Sequence, residues 1–126
     1  MREAKTRFKP PSGLLLAALL LLPAAAPAQD AAAFFRQSCA SCHTVGGGKL
    51  VGPDLKDVTK RKDRPWLLSF VQNPKAVLDS GDPYALKLKE EAGGALMVPI
   101  AGMTAQRAEE LLALIEAESK LAKSQF

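Results

Sequence analysis

"SCASCHTVGGGKL", residues 38–50, contains both cysteines of this 126-residue chain and its only histidine. Cys39, Cys42 and His43 therefore sit together with no second cysteine or histidine elsewhere to assist them. Two thiols three positions apart can add to the two vinyl groups of one haem as thioethers. The adjacent imidazole then reaches the iron from one face. Cys-x-x-Cys-His is the attachment pattern of c-type haem. The competing chemistries fit less well. A structural zinc site needs four ligands, and Cys39, Cys42 and His43 are three. A thioredoxin-like Cys-x-x-Cys belongs near a βαβ pattern, whereas "DAAAFFRQS" at 30–38 reads as helix. A plain Cys39–Cys42 disulfide needs only an oxidising compartment, but it leaves His43 without a role.

The N-terminal sequence points to such a compartment. "MREAKTRFKPPS" at 1–12 carries Arg2, Lys5, Arg7 and Lys9 against Glu3, and "GLLLAALLLL" at 13–22 follows. A basic leader, a short apolar run and the small-residue site Ala26-Pro27-Ala28 form a secretory signal peptide, with cleavage expected after Ala28. The apolar run before Pro23 is about half of the roughly 20 residues that a spanning helix needs. The expected organisation is thus a leader over 1–28 and one domain over 29–126, with no stable membrane span after cleavage. Removing the leader leaves 13 basic and 12 acidic residues, a net charge of +1. The basic balance of the full chain is mostly a targeting signal, so no nucleic-acid partner is expected.

The expected domain is all-α, with about four short helices. Asp30 is a candidate cap for a first helix over about 31–40, with Phe34 and Phe35 facing inward. A glycine-rich loop covers 44–54. Its "GGG" at 46–48 matches no phosphate-binding pattern. Pro65 opens a helix that ends before Pro74, and Pro83 opens another over about 83–92 that Gly93 ends. The last helix spans about 105–119, with Ala108, Leu111, Leu112 and Ile115 on one apolar face. The run "KDVTKRKDR" at 56–64 reads as a solvated face or, alternatively, as a docking patch for a redox partner.

What lies opposite His43 decides the function. A Met/His pair suits electron transfer, and an open face suits ligand binding or oxygen chemistry. Outside the leader the methionines are Met97 and Met103, both in "GGALMVPIAGMTAQRAEELL" at 93–112. Gly93, Gly94, Pro99 and Gly102 make the stretch before Thr104 irregular. Thr104 reads as an N-cap, which puts Met103 at N′, where apolar residues pack back on their own helix. Met97 is therefore the favoured ligand and Met103 the second choice.

The domain resembles a class I cytochrome c, a small soluble monohaem electron carrier, over about residues 30–119. "FFRQSCASCHTVGGGKLVGPDL" is similar to the family's opening: Phe35 four residues before the first cysteine, Cys39-x-x-Cys42-His43, then Gly52, Pro53 and Leu55. "MVPIAGMT" resembles the family's methionine loop, although the family usually has proline directly after the methionine and here Val98 intervenes. The resemblance implies the cytochrome c fold wrapped around one covalently attached haem c, with Cys39 and Cys42 as thioether anchors. It implies that the first and last helices pack together, so that Phe34 or Phe35 meets Leu111 or Ile115. It implies that the Pro53 carbonyl accepts the Nδ1 proton of His43. It also places Trp66 where the family's indole bonds a haem propionate, against simple core packing as the other reading.

The function expected from these readings is a monomeric periplasmic electron carrier with His43 and Met97 as axial ligands. Its partners are then donor and acceptor redox proteins of respiration, and no catalytic acid, base or nucleophile is required. The alternatives are a haem subunit of a larger oxidoreductase, a haem enzyme or gas sensor with an open sixth position, and a thiol–disulfide protein using Cys39 and Cys42.

Overall fold

The computed structural model describes residues 26–126. Six helical segments follow one another: α1 (Ala26–Ser38), α2 (Val58–Arg61), α3 (Arg64–Gln72), α4 (Pro74–Asp79), α5 (Pro83–Glu91) and α6 (Ala105–Ser119). No strand occurs among the described residues. The leader expected at 1–28 lies almost wholly outside them.

Most helix starts obey one local rule. A short polar side chain accepts a backbone N–H one turn ahead, and proline in the first turn supplies a preset φ. Asp63 accepts from Trp66 N at 3.0 Å, with Pro65 next in the helix. Asp82 accepts from Ala85 N at 2.8 Å ahead of Pro83. Thr104 accepts from Arg107 N at 3.1 Å, and α6 spans the expected 105–119. Asn73 accepts from Ala76 N at 3.1 Å and thereby starts α4, a helix not expected from the sequence. The sequence predicts Pro74 only as the stop after α3. It is also the first residue of α4, because Asn73 closes one helix and caps the next.

The first helix differs from expectation at its start. α1 begins at Ala26, runs through the expected cleavage point and includes Asp30 in its interior. Alanine has the highest helix propensity, so the alanine-rich stretch continues the helix without a cap at Asp30. The Asp30 carboxylate instead pairs with Arg107 of α6 at 3.2 Å. Phe34 lies beneath the same guanidinium, 4.5 Å from ring centroid to Cζ.

α1 packs against α6, which also meets α2 and α3. The core consists of Phe35, Cys39, Val45, Leu111 and Ile115, with Phe34, Leu55, Ile100 and Met103 packed against it. The haem-motif cysteine is thus part of the same core that joins the first and last helices. Arg64 adds an ionic tie across α3 and α6, pairing with Glu109 at 2.6 Å and Glu116 at 3.1 Å.

The tail after α6 turns back onto this core. Glu118 is a buried carboxylate. It accepts from the Ser124 hydroxyl at 2.7 Å, from Gln125 N at 3.0 Å and from Gln125 Nε2 at 2.7 Å. Those bonds seat Phe126 against Phe35, with ring centroids 4.5 Å apart, and let its carbonyl accept from Val45 N. Burial disfavours the Glu118 anion, but the Gln125 and Ser124 donors, with Arg36 beyond, outweigh it and hold the carboxyl below its usual range.

Candidate haem-attachment site

The last turn of α1 carries directly into the motif. Cys39 N donates to Phe35 O at 2.8 Å, and His43 N donates to Cys39 O at 3.0 Å. This tight turn brings Cys39, Cys42 and His43 onto one compact segment. Cys39 is buried and Cys42 half-buried. Burial first, and the neighbouring Cys42 second, push the Cys39 thiol up to about 11. A thiol held that far from ionisation is a poor nucleophile, which counts against a working dithiol pair. No group of three or more histidine, cysteine or acidic side chains suited to a metal ion occurs among the described residues.

His43 Nδ1 lies 2.8 Å from the carbonyl oxygen of Pro53. A carbonyl only accepts, so Nδ1 is the donor in this contact, and in the neutral ring the lone pair is then on Nε2. The loop that delivers Pro53 is closed by backbone bonds: Gly52 N to Cys42 O at 2.9 Å and Leu55 N to Thr44 O at 2.8 Å. Gly52 lies against the imidazole itself. A Cβ there would sit 2.3 Å from His43 Cε1 and 2.8 Å from Nδ1. Only glycine lets the backbone pass the ring so closely. The sequence reading placed Gly52 in a turn and missed this contact, since a glycine before proline signals a bend and not what it touches.

The 44–54 loop is not an open phosphate cradle. The Asp54 carboxylate fills its concave side, accepting from Gly46 N at 2.7 Å and Gly48 N at 2.8 Å. Opposite in sequence, Met97 is half-buried in the stretch between α5 and α6, flanked by exposed Leu96 and Val98. Met103 packs against the core, as a residue at N′ of α6 does.

Trp66 stacks on Phe70 at 4.9 Å and meets the edge of Tyr84 at 5.0 Å. Its Nε1 is buried with no hydrogen-bond partner. The Asp82 carboxyl is held below its usual range chiefly by the Ala85 N–H. The indole does not reach hydrogen-bond geometry with Asp82, so its donor remains unsatisfied. An unpaired buried donor is costly, and an acceptor from a bound group answers it.

The basic run 56–64 is largely engaged within the chain. Lys60 pairs with Asp57 at 2.9 Å, and Arg61 donates to the Asp54 carbonyl. Lys62 lies over the rings of Trp66 and Tyr84 at 5.0 and 5.1 Å, and Arg64 is bound to α6. Of the five cations of the run, only Lys60 and Arg64 form ion pairs, and Lys56, Lys60 and Arg61 remain exposed.

These features fit a covalently held haem. One imidazole has its inner nitrogen fixed and its outer lone pair free. A glycine clears the ring, and a buried indole N–H lacks an acceptor. Leu50, Val51, Leu96 and Val98 expose 49–68% of their surface on the two loops concerned, apolar area of the kind a flat macrocycle covers.

Comparison with known proteins agrees. The family model for cytochrome c matches residues 28–119. Among solved structures, a cytochrome c from Rhodothermus marinus is 26% identical, with a TM-score of 0.65, covering 81% of this chain and 84% of its own. The cytochrome c domain of the pp3183 protein from Pseudomonas putida is 30% identical, with a TM-score of 0.61, covering 71% of this chain and 87% of its own. An engineered form of the Rhodothermus protein, solved with a carbene intermediate, shares the fold at 24% identity and a TM-score of 0.64, covering 84% and 88% of the two chains. No curated protein matches the chain. The helical fold, the Cys-x-x-Cys-His segment closing onto its core and the family match over most of the length show that this chain belongs to the cytochrome c family, whose members carry covalent haem c and work by haem-based electron transfer.

Proposed function

We propose that the chain is an exported, monomeric single-electron carrier. In this reading Cys39 and Cys42 hold haem c as thioethers, and His43 and Met97 are the axial ligands, with Met103 the second choice. The observation that carries it is His43: its Nδ1–H is fixed on Pro53, which leaves Nε2 as the one free lone pair of the ring. When bound, haem c supplies a one-electron iron couple, and a Met/His ligand pair raises its potential.

The chain's own groups support a carrier more than a catalyst. Its single imidazole is already engaged by Pro53, so no histidine remains as a distal acid or base. Met97 lies in an irregular loop, whereas Met103 is held in core packing. The buried Trp66 Nε1 is a donor available to a propionate. Residues 1–28 serve as the export leader and 29–126 as the working domain in the periplasm, where donor and acceptor proteins are its partners. No described helix is long and apolar enough to cross a membrane.

A redox titration of the haem-loaded protein, followed by carbon monoxide addition to the reduced form, tests the reading. A reversible one-electron transition with no carbon monoxide uptake is expected. Ready uptake, with a high-spin spectrum before addition, would overturn the carrier in favour of an open-iron enzyme or sensor.

A further inference from the structure

The carbonyl that holds His43 is itself held, by the residue that follows it. Pro53 C=O and Asp54 N belong to one planar peptide unit. Whatever fixes Asp54 therefore fixes the direction of that carbonyl. Asp54 is fixed on two sides. Its Oδ1 accepts from Gly46 N at 2.7 Å and from Lys56 N at 2.8 Å, and its Oδ2 accepts from Gly48 N at 2.8 Å. Its own carbonyl accepts from the Arg61 guanidinium. Donors thus reach one carboxylate from both arms of the loop. Gly46 and Gly48 both have φ of +90°, a conformation other residues rarely adopt, and this turns their N–H groups inward. Successive inward N–H groups form an anion-binding concavity, and here the anion is supplied by the chain.

We propose that Asp54 is the positioning residue for the axial imidazole: by locking the Pro53–Asp54 peptide it keeps the Pro53 carbonyl on His43 Nδ1–H and so sets the reduction potential of the bound haem. The proposal rests on His43 being the ligand, as proposed above. A firm Nδ1–H···O bond makes Nε2 a stronger donor to iron, which favours the oxidised form and lowers the potential. Loss of the lock frees the carbonyl to turn away and raises it. Burial works against the Asp54 anion, but the Gly46, Lys56 and Gly48 donors and the Arg61 charge keep its carboxyl below the usual range, so the lock is closed at neutral pH.

The test uses the haem-loaded protein and two readouts, the exchange rate of the His43 Nδ1 proton by NMR and the reduction potential. Asp54→Asn keeps the size but replaces one acceptor oxygen with an amide that cannot accept. Asp54→Glu keeps the charge but displaces the carboxylate. Asp57→Asn is the charge control, because the Asp57 carboxylate pairs with Lys60 and bonds none of the loop N–H groups. Both Asp54 variants are expected to speed Nδ1–H exchange by about tenfold or more and to raise the potential, at low and at high salt. Asp57→Asn is expected to leave exchange unchanged. Should Asp54→Asn not accumulate as folded protein, Asp54→Glu carries the test alone. Unchanged exchange in a folded Asp54 variant, or equal acceleration in Asp57→Asn, would overturn the proposal. A His43 ring without paramagnetically shifted signals in the oxidised wild type would instead remove the ligand assignment beneath it.

Discussion

At 2.8 Å from the Pro53 carbonyl, His43 Nδ1 acts as a donor and the ring cannot rotate without losing that bond. Gly52 lies against the same ring, and any Cβ there would overlap Cε1 at 2.3 Å. Gly52→Ala must displace the ring or the loop. We expect it to destabilise the haem-loaded protein by about 1–3 kcal/mol and to weaken its low-spin spectrum, as checked by thermal unfolding and absorption on one sample. Cys39, Cys42 and His43 were readable as a site because they are scarce and adjacent. Gly52 was not, because its role lies in what its missing side chain would strike. Trp66 lies between these cases. The family resemblance singles it out, but the stacking on Phe70 and the buried Nε1 without a partner are visible only in the fold.

Among elements, the α1–α6 contact binds the haem motif to the rest of the chain. Phe35 is fully buried, and it touches both the α6 face and the ring of Phe126 from the tail. Truncating such a side chain loses its transfer free energy and leaves a cavity. Phe35→Ala is expected to cost about 3–5 kcal/mol, read as a lowered denaturant midpoint. The ion pairs of Arg64 with α6 involve side chains 38–47% exposed, and Arg64→Ala should change the same midpoint by no more than about 1 kcal/mol. The helices α3 and α5 were legible from a proline in the first turn, and α6 from its Thr104 cap and apolar spacing. α4 was not, because its six residues carry little periodic signal and Asn73 serves two helices at once. α2, with four residues, is set by tertiary contact with α6 and has no signature of its own.

For the whole molecule, acid is the expected weakness. Asp54 ties down the 44–54 loop and Glu118 the C-terminal tail, and both carboxyls lie below their ordinary range when folded. The unfolded chain therefore takes up their protons first as pH falls. Stability from these groups is complete above the ordinary carboxylate range and is lost as pH drops through the depressed folded values. Far-UV circular dichroism across an acid titration should show unfolding in that window, and Glu118→Gln should make the profile flatter at the expense of stability at neutral pH. The tail that Glu118 anchors lies outside the stretch covered by the family resemblance, and its packing on Phe35 depends on long-range closure that no local pattern announces.

In the proposed function, His43, held by Pro53, and Met97 would be the two protein ligands of the haem iron. The most direct measurement is the red charge-transfer band of the oxidised, haem-loaded protein in wild type, Met97→Ala and Met103→Ala. The account predicts a band in wild type and in Met103→Ala and its loss in Met97→Ala alone. A band that survives in Met97→Ala and disappears in Met103→Ala, or one missing from wild type, would contradict it.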